Sequence, residues 1–180
     1  MEEAFEGGGV TSAEQATRIV DMGVEKVAVS AAAIANPSLL TEIAASVGKQ
    51  SVVAVLDIRR RMGLFATGYE VLTHNSKINH KQDALSLAKQ LQDAGAGEIV
   101  INSVDRDGMM QGYDLELATQ LRQVLKVPLT ILGGAGSLNH FTELFERLGL
   151  VGAAAGSLFV FKGNTVRYLL TIQLHYRNKS

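Results

Sequence analysis

The 180-residue sequence contains no cysteine and no tryptophan. The absence of cysteine excludes disulfide bonds, thiolate metal sites and a cysteine nucleophile, and it fits a reducing compartment. No apolar run approaches the length of a membrane span, and residues 1–3 are acidic or neutral where a secretion signal would be basic. We therefore expect a cytoplasmic protein that has no membrane partner.

Neither sign of charge is in excess, because 17 lysine and arginine side chains nearly balance 18 aspartate and glutamate side chains. A short basic run at residues 59–61 has a length that is common in solvated loops. The sequence therefore predicts no nucleic-acid partner. Hydrophobic residues make up 47% of the chain, which is enough to bury a sizeable core, so we expect residues 1–180 to form a single domain.

The histidines are spaced unlike metal ligands. They are His74, His80, His140 and His175. No two of them lie four residues apart on one predicted helix, which is the spacing that zinc-binding helices use. We therefore expect no metal site and no cofactor, and packing accounts for His140 and its neighbour Phe141.

Apolar segments with the length of strands alternate along the chain with segments of helical period. These apolar segments are continuous, which is typical of parallel strands that helices cover on both faces. Five strands are predicted, at residues 24–30, 51–58, 99–104, 129–132 and 151–155. Helices are predicted at residues 12–22, 36–47, 83–93, 114–125, 138–148 and 164–176, and a small hairpin at residues 64–67 and 69–73.

Polar and glycine residues follow nearly every predicted strand, at Ser30, Asp57, Asn102, Gly133 and Gly156. In an open doubly wound sheet the ligand gathers at one switch point, whereas a (β/α)8 barrel draws its site from the ends of many strands. The pattern therefore favours a barrel. A closed barrel takes eight strands and about 250 residues, so we predict an α/β fold that is a partial TIM-type barrel, with about five parallel strands and covering helices.

Two glycine clusters, residues 7–9 and 133–136, each open a turn from a strand into a helix. Backbone amides in such a turn bind an anion at the N-terminus of the next helix without a cationic side chain. The repeated pattern predicts a small-molecule substrate with a phosphate at each end, although glycines that only shape the turns would leave the same signature. The predicted phosphate ligands are Gly8, Gly9, Ser30, Gly133, Gly134, Gly136, Gly156 and Ser157.

Two aspartates are candidates for acid–base catalysis. Asp57 ends an otherwise apolar strand at the end where barrels carry out chemistry, so it is a candidate base, or else a carboxylate that caps a loop. Asp105 follows the next strand and could bind a substrate hydroxyl or share the acid–base work, or form an Asx turn that leads into Gly108. Asn102 and Ser103 would present hydrogen-bond donors to the same cavity.

Four motifs resemble a known family in their order and spacing. They are Gly7-Gly8-Gly9-Val10, Asp57 after the apolar residues 52–56, residues 103–108 with 112–114, and Gly133-Gly134-Ala135-Gly136. The family that they resemble is the cyclase subunit of imidazole glycerol phosphate synthase, and the similarity covers residues 7–163. The resemblance implies a (β/α)8 barrel that uses ammonia from a glutaminase partner on a doubly phosphorylated ribonucleotide and closes the imidazole ring in histidine biosynthesis.

One branch of this family resembles the chain still more closely. The resemblance lies in residues 69–71, 73–75, 99–103, 107–110 and 153–163. Members of this branch accompany sugar amidotransferases in surface-polysaccharide synthesis. The resemblance therefore implies a second possible role, the supply of ammonia for acetamidino groups on sugars.

The sequence departs from the family at the catalytic pair. The family uses an aspartate on the first strand and another on the fifth; Asp57 matches the second, and the first has no counterpart here. Ring closure needs one group that donates a proton and one that accepts it, so we expect little activity from the chain alone. A non-catalytic module that binds phosphate ligands or self-assembles, and a sugar-phosphate isomerase on a related barrel, are the alternatives.

An arc of five strands would leave two sheet edges unpaired, one at residues 24–30 and one at residues 151–155. Unpaired edges and an apolar inner face are unfavourable for a monomer. We therefore expect either a homo-oligomer, in which two chains bury each other's edges, or a rearrangement of residues 1–6 that covers one edge.

Overall fold

Strands and helices alternate along the part of the chain that the computed structural model describes, which is residues 5–7, 9–63, 66–156 and 170–172. The strands are β1 (Phe5–Gly7), β2 (Lys26–Val29), β3 (Val52–Arg60), β4 (Tyr69–Thr73), β5 (Ile78–Asp83), β6 (Glu98–Ser103), β7 (Leu129–Leu132), β8 (Gly152–Ala155) and β9 (Leu170–Ile172). The helices are α1 (Ala13–Asp21), α2 (Ala31–Ala35), α3 (Ser38–Val47), α4 (Ala84–Ala94), α5 (Leu115–Val124) and α6 (Leu138–Leu148).

The strands form one sheet in the order β1-β2-β3-β6-β7-β8-β9. Each neighbouring pair from β1 to β8 is parallel, and the helices lie on the connections between successive parallel strands. The five strands expected from the sequence are β2, β3, β6, β7 and β8, which confirms that prediction. This mostly parallel α/β sheet is the architecture of a partial TIM-type barrel.

Side-chain capping fixes where several helices begin. The side chain of Ser12 accepts a hydrogen bond from the Gln15 amide at the start of α1. Asp83 and Asp114 do the same at the starts of α4 and α5. Each bond satisfies an amide that has no partner within the helix, so the helices begin where the sequence predicts.

Alternation along β3 and β6 separates a helix-facing side of the sheet from an inner face. Leu56 and Ile58 of β3, and Ile101 of β6, are fully buried in the hydrophobic core that the strands share with the helices. Successive strand residues point to opposite faces. Asp57 and Asn102 therefore lie together on the inner face, where the site is built.

The predicted hairpin is wrong in its pairing. The strand β4 pairs antiparallel with the end of β3, from Asp57↔Leu72 to Arg60↔Tyr69, and also with β5, so its two partner strands are β3 and β5. The β2 strand pairs with β3 only as far as Ala54, which leaves the end of β3 to bond with β4. Residues 64 and 65 lie outside the described residues.

The outer strands of the sheet also correct the prediction. Phe5–Gly7 forms β1 and pairs with β2, so residues 5–7 cover the edge at residues 24–30 that was expected to be unpaired. Leu170–Ile172 forms β9, antiparallel to β8, so the predicted helix at residues 164–176 is wrong there; its other residues lie outside the described ones. Pairing satisfies the backbone of β8 along its edge, which a helix would leave unpaired. Self-association stays a prediction.

Candidate functional site

Asp57 and Asn102 lie side by side on the inner face of the sheet. They are register partners in β3 and β6, and Asn102 Nδ2 donates a hydrogen bond to Asp57 Oδ1 at 3.0 Å. An ionised carboxylate only accepts hydrogen bonds, so the amide nitrogen must be the atom that faces Asp57. Both side chains are half-buried at the carboxyl ends of the parallel strands, where barrel enzymes place their chemistry.

This orientation places the Asn102 carbonyl oxygen beside Gly133. Asn102 Oδ1 is buried and has no hydrogen-bond partner among the described residues. A Cβ atom on Gly133 would lie 3.2 Å from this oxygen and 2.7 Å from the Ser103 carbonyl oxygen. The sequence predicts a hydrogen-bond donor at this position; in the structure the Asn102 amide donor is already bonded to Asp57, and the atom without a partner is a buried acceptor.

Ser103 does not share this cavity through its side chain. It pairs with Ile58 on the helix-facing side of the sheet and is 2% exposed. Its carbonyl oxygen accepts from the amides of Arg106 and Asp107, both at 3.0 Å. The expectation that the side chains of Asn102 and Ser103 face one cavity is therefore wrong for Ser103, because neighbouring strand residues point to opposite faces.

Asp105 stabilises a junction between two loops. Its Oδ2 accepts a hydrogen bond from the Arg60 amide at 2.7 Å, which joins the end of β3 to the loop after β6. The side chain is exposed, and the turn that follows is closed by the Ser103 carbonyl rather than by Asp105. The structure brings Asp57 together with Asn102 and not with Asp105, whose catalytic role stays a prediction.

The second glycine cluster packs against the loop after β6. Gly134 has φ +104, and a Cβ atom there would lie 2.2 Å from the carbonyl oxygen of Gly112. The Gly112 amide donates to the Gly134 carbonyl oxygen at 2.8 Å. A Cβ atom on Gly136 would lie 2.4 Å from the Met110 carbonyl oxygen. The Gly136 amide donates to His140 Nδ1 at 3.0 Å. These glycines therefore have a packing role, and the Gly136 amide already has a protein acceptor.

The other predicted phosphate ligands are more open. A Cβ atom on Gly9, which has φ +91, or on Gly156 would meet no other atom within 4 Å. Ser30 precedes α2 and makes no side-chain capping bond, while its carbonyl oxygen accepts from the Ala33 and Ile34 amides. Gly8 and Ser157 lie outside the described residues. Phosphate binding at all these positions stays a prediction.

An ion pair that the sequence analysis missed lies next to Asp57 on the inner face. Arg59 and Glu70 are register partners in β3 and β4, and Arg59 Nη2 lies 2.7 Å from Glu70 Oε1. The Arg59 guanidinium, with a smaller contribution from a hydrogen bond to Asn79, lowers the pKa of Glu70. Strand alternation from Asp57 identifies Arg59 as an inner-face residue, but the pairing of β4 had to be known to find Glu70.

A second polar group lies at the opposite end of the inner face. Lys26 Nζ of β2 contacts Glu98 Oε2 of β6 at 3.0 Å, and Thr130 Oγ1 of β7 donates to Glu98 Oε1 at 2.7 Å. Glu98 is 3% exposed. A buried carboxylate needs such partners. The sequence carried a signal for this group, since each residue is polar at or near the start of an apolar strand.

Tyr69 connects the inserted hairpin to the start of α5. Its hydroxyl accepts from Arg60 Nη2 at 2.8 Å and donates to Asp114 Oδ1 at 3.2 Å. Burial is the main reason that the pKa of Tyr69 is raised, so the hydroxyl stays protonated and can donate. This network fixes β4 beside Asp57.

A search for metal and membrane sites over the described residues gave no candidate. No group of three or more His, Cys, Asp or Glu side chains there could hold a metal ion. No helix in the described part of the chain has the length and hydropathy needed to cross a membrane.

Comparison with known proteins relates the chain to one family. The family model described as "Histidine biosynthesis protein" matches residues 3–165. A Vibrio vulnificus protein named "Putative imidazole glycerol phosphate synthase subunit hisF3" is 47% identical over 157 residues, which are 87% of this chain and 60% of that protein. A Pseudomonas aeruginosa protein with the same name, ending in hisF2, is 42% identical over 157 residues, 87% of this chain and 61% of that protein.

The Pyrococcus furiosus protein named "Imidazole glycerol phosphate synthase subunit HisF" is 38% identical over 163 residues, which are 91% of this chain and 63% of that protein. The chain thus spans about three fifths of the length of these relatives. The match of the family model to most of the chain, together with these identities, shows that the chain belongs to the histidine biosynthesis protein family and is HisF-like.

Proposed function

We propose that this chain contributes a cyclase site of the imidazole glycerol phosphate synthase type, in which ammonia from a glutaminase partner reacts with a doubly phosphorylated ribonucleotide. The observation that carries the proposal is the contact between Asp57 and Asn102 on the inner face, at the carboxyl ends of the parallel strands. A half-buried carboxylate at this place in a barrel has the position of a catalytic group. The family relationship supports the same reading.

Asp57 is the proposed base. Addition of ammonia and closure of a ring require removal of protons from nitrogen, and a carboxylate within hydrogen-bond reach of the reacting group can accept them. The hydrogen bond from Asn102 Nδ2 to Asp57 Oδ1 orients the carboxylate and leaves Asp57 Oδ2 for the substrate.

The two proposed phosphate positions are supported by backbone geometry. On one side, Gly9 has φ +91 with open space around it, and the Ser30 hydroxyl makes no capping bond. On the other, Gly133 and Gly134 precede α6, whose N-cap residue Ser137 makes no side-chain capping bond. Amides at the N-terminus of such a helix attract a phosphate.

A second candidate function is the supply of ammonia for sugar amidination in surface-polysaccharide synthesis. Its support is the local resemblance of residues 69–75 and 153–163 to that branch. An assay of ammonia-dependent turnover with the bis-phosphorylated ribonucleotide separates the two functions. Binding without turnover in the presence of a glutaminase partner would favour the amidination role or a non-catalytic binding module.

The proposal is tested by calorimetric titration of a bis-phosphorylated ribonucleotide into the purified chain. We expect Gly134→Val to abolish binding, because a side chain there collides with the Gly112 carbonyl oxygen. Gly23→Val is the matched control, since Gly23 has a similar φ of +95 and open surroundings. Asp57→Asn should retain binding and lose turnover, because the substitution removes the base and keeps the shape of the side chain.

Two outcomes would contradict the proposal. A folded wild-type chain that does not bind the ribonucleotide would exclude a working two-phosphate site. Equal losses of binding in Gly134→Val and Gly23→Val would show that backbone strain, rather than the loop geometry, causes the effect.

Light scattering in the same buffer tests the expected homo-oligomer, and a monomer at micromolar concentration would contradict that expectation.

A further inference from the structure

His140 reaches back from the first turn of α6 to the second glycine cluster. Its Nδ1 accepts a hydrogen bond from the Gly136 amide at 3.0 Å. A ring nitrogen that accepts a hydrogen bond carries no proton, so the imidazole in this contact is the neutral form protonated at Nε2. Because the Gly136 amide is used in this way, it is not available to a phosphate in the same arrangement.

The imidazole ring also lies beside the loop that follows β6. A Cβ atom built on Gly112 would lie 3.7–3.9 Å from three atoms of the His140 ring, which is ordinary packing distance. The Gly112 amide in turn donates to the Gly134 carbonyl oxygen at 2.8 Å. His140 therefore lies where the loops after β6 and β7 meet, and both loops carry proposed site residues.

The position of His140 within α6 explains how it reaches the loop. Ser137 is the N-cap, so His140 is the third residue of the helix proper. In a capping box, the side chain at this position reaches back to the N-cap amide. Here the imidazole bonds one residue further back, to Gly136, and the Ser137 side chain makes no capping bond. The helix thus fixes the loop through His140.

We propose that His140 is a positioning residue for the phosphate-binding loop. Its imidazole accepts the hydrogen bond of the Gly136 amide and so fixes the loop in the shape in which the amides of Gly133 and Gly134 face the ligand. This inference rests on the proposed function, and it removes Gly136 from the set of phosphate ligands. The sequence alone assigned His140 to packing, because the bond to Gly136 depends on the turn that the chain makes before α6.

The test compares His140→Leu with His140→Gln. Leucine has a similar size and removes the acceptor, whereas glutamine has a side-chain carbonyl that can reach back as it does in capping boxes. Phe145→Leu is the control, because it weakens the packing of α6 one turn away without touching the loop. The readouts are hydrogen exchange of the Gly136 amide, calorimetric affinity for inorganic phosphate and for the bis-phosphorylated ribonucleotide, and thermal unfolding.

We expect His140→Leu to speed exchange at Gly136 and to weaken both affinities by about fivefold or more, the scale of one lost hydrogen bond. His140→Gln should restore most of the affinity, and Phe145→Leu should leave it unchanged. Affinity that stays equal or rises in His140→Leu would overturn the proposal, because it would mean that the imidazole competes with phosphate for the amide. If the wild type binds neither probe, the proposed function fails, and unchanged Gly136 exchange in His140→Leu would separately refute the positioning role.

Discussion

Asn102 donates to Asp57 across two neighbouring strands at 3.0 Å, and this single bond determines which way the asparagine amide faces. The carboxylate receives the N–H group, and the carbonyl oxygen is left beside Gly133 with no partner among the described residues. One hydrogen bond therefore orients the proposed base and leaves a buried acceptor beside Gly133 without a partner among the described residues.

Replacement of Asn102 by aspartate should destabilise the inner face around Asp57. Asn102→Asp removes the donor and places a second carboxylate beside the first, so two like charges lie side by side on neighbouring strands. We expect the free energy of unfolding measured with urea at pH 7 to fall by about 1–3 kcal/mol. Asn102→Leu serves as the control; it removes the donor without adding charge, so an equal loss in both variants would show that repulsion between the carboxylates does not contribute.

The Lys26–Glu98 pair should be important for stability although it lies at the opposite end of the inner face from Asp57. In Lys26→Met, Glu98 stays buried and keeps the hydrogen bond from Thr130, and an uncompensated buried charge costs about 3–5 kcal/mol. We expect that loss in the free energy of unfolding measured with urea. The double variant Lys26→Met/Glu98→Gln should recover most of it, because the glutamine is neutral and can still bond to Thr130; no recovery would mean that packing of the lysine stem is responsible.

Loss of the Tyr69 hydroxyl should loosen the hairpin that lies beside Asp57. Tyr69→Phe removes one hydrogen-bond partner from the buried Asp114 and one from Arg60. We expect a loss of about 1–3 kcal/mol in the free energy of unfolding, the cost of leaving a buried polar group unsatisfied. The control is Lys89→Ala, which breaks an exposed i,i+4 ion pair and should lower the free energy of unfolding by less than about 0.5 kcal/mol. Similar losses in both variants would show that the network around Tyr69 stabilises the protein no more than an exposed ion pair does.

The Arg59–Glu70 pair should make stability depend on acid pH. Arg59 lowers the pKa of Glu70 in the folded state, so the pair stabilises the protein above the ordinary carboxyl pKa of about 4.3 and this contribution disappears as the pH falls through the lower folded pKa. We expect wild type to be more stable than Glu70→Gln at pH 7, and the difference to shrink below about pH 4. A difference that is constant between pH 7 and pH 3 would show that the glutamine acts through packing instead.

Much of the fold could be predicted from the sequence because its signals are local. The continuous apolar runs predict β2, β3, β6, β7 and β8, and all five form parallel strands. Capping residues such as Ser12 and Asp83 mark helix starts within three residues of the amides that they bond. The wrong predictions are at positions where strand pairing determines the secondary structure. The strand β4 pairs with the end of β3, and Leu170–Ile172 pairs with β8.

The sequence by itself determined the order of the five parallel strands β2, β3, β6, β7 and β8 and placed Asp57 and Asn102 at strand ends, since chain-local propensity and polarity suffice for that. Only the tertiary structure decided that these two side chains touch and that Ser103 turns away from them. It also decided that Glu70 lies opposite Arg59 and that His140 binds Gly136. Asp57 and Asn102 are 45 residues apart in the chain, and Lys26 and Glu98 are 72 apart. Their contacts follow from strand register, which is fixed by hydrogen bonds between strands and by the burial of one sheet face, and neither can be read from any local stretch of sequence.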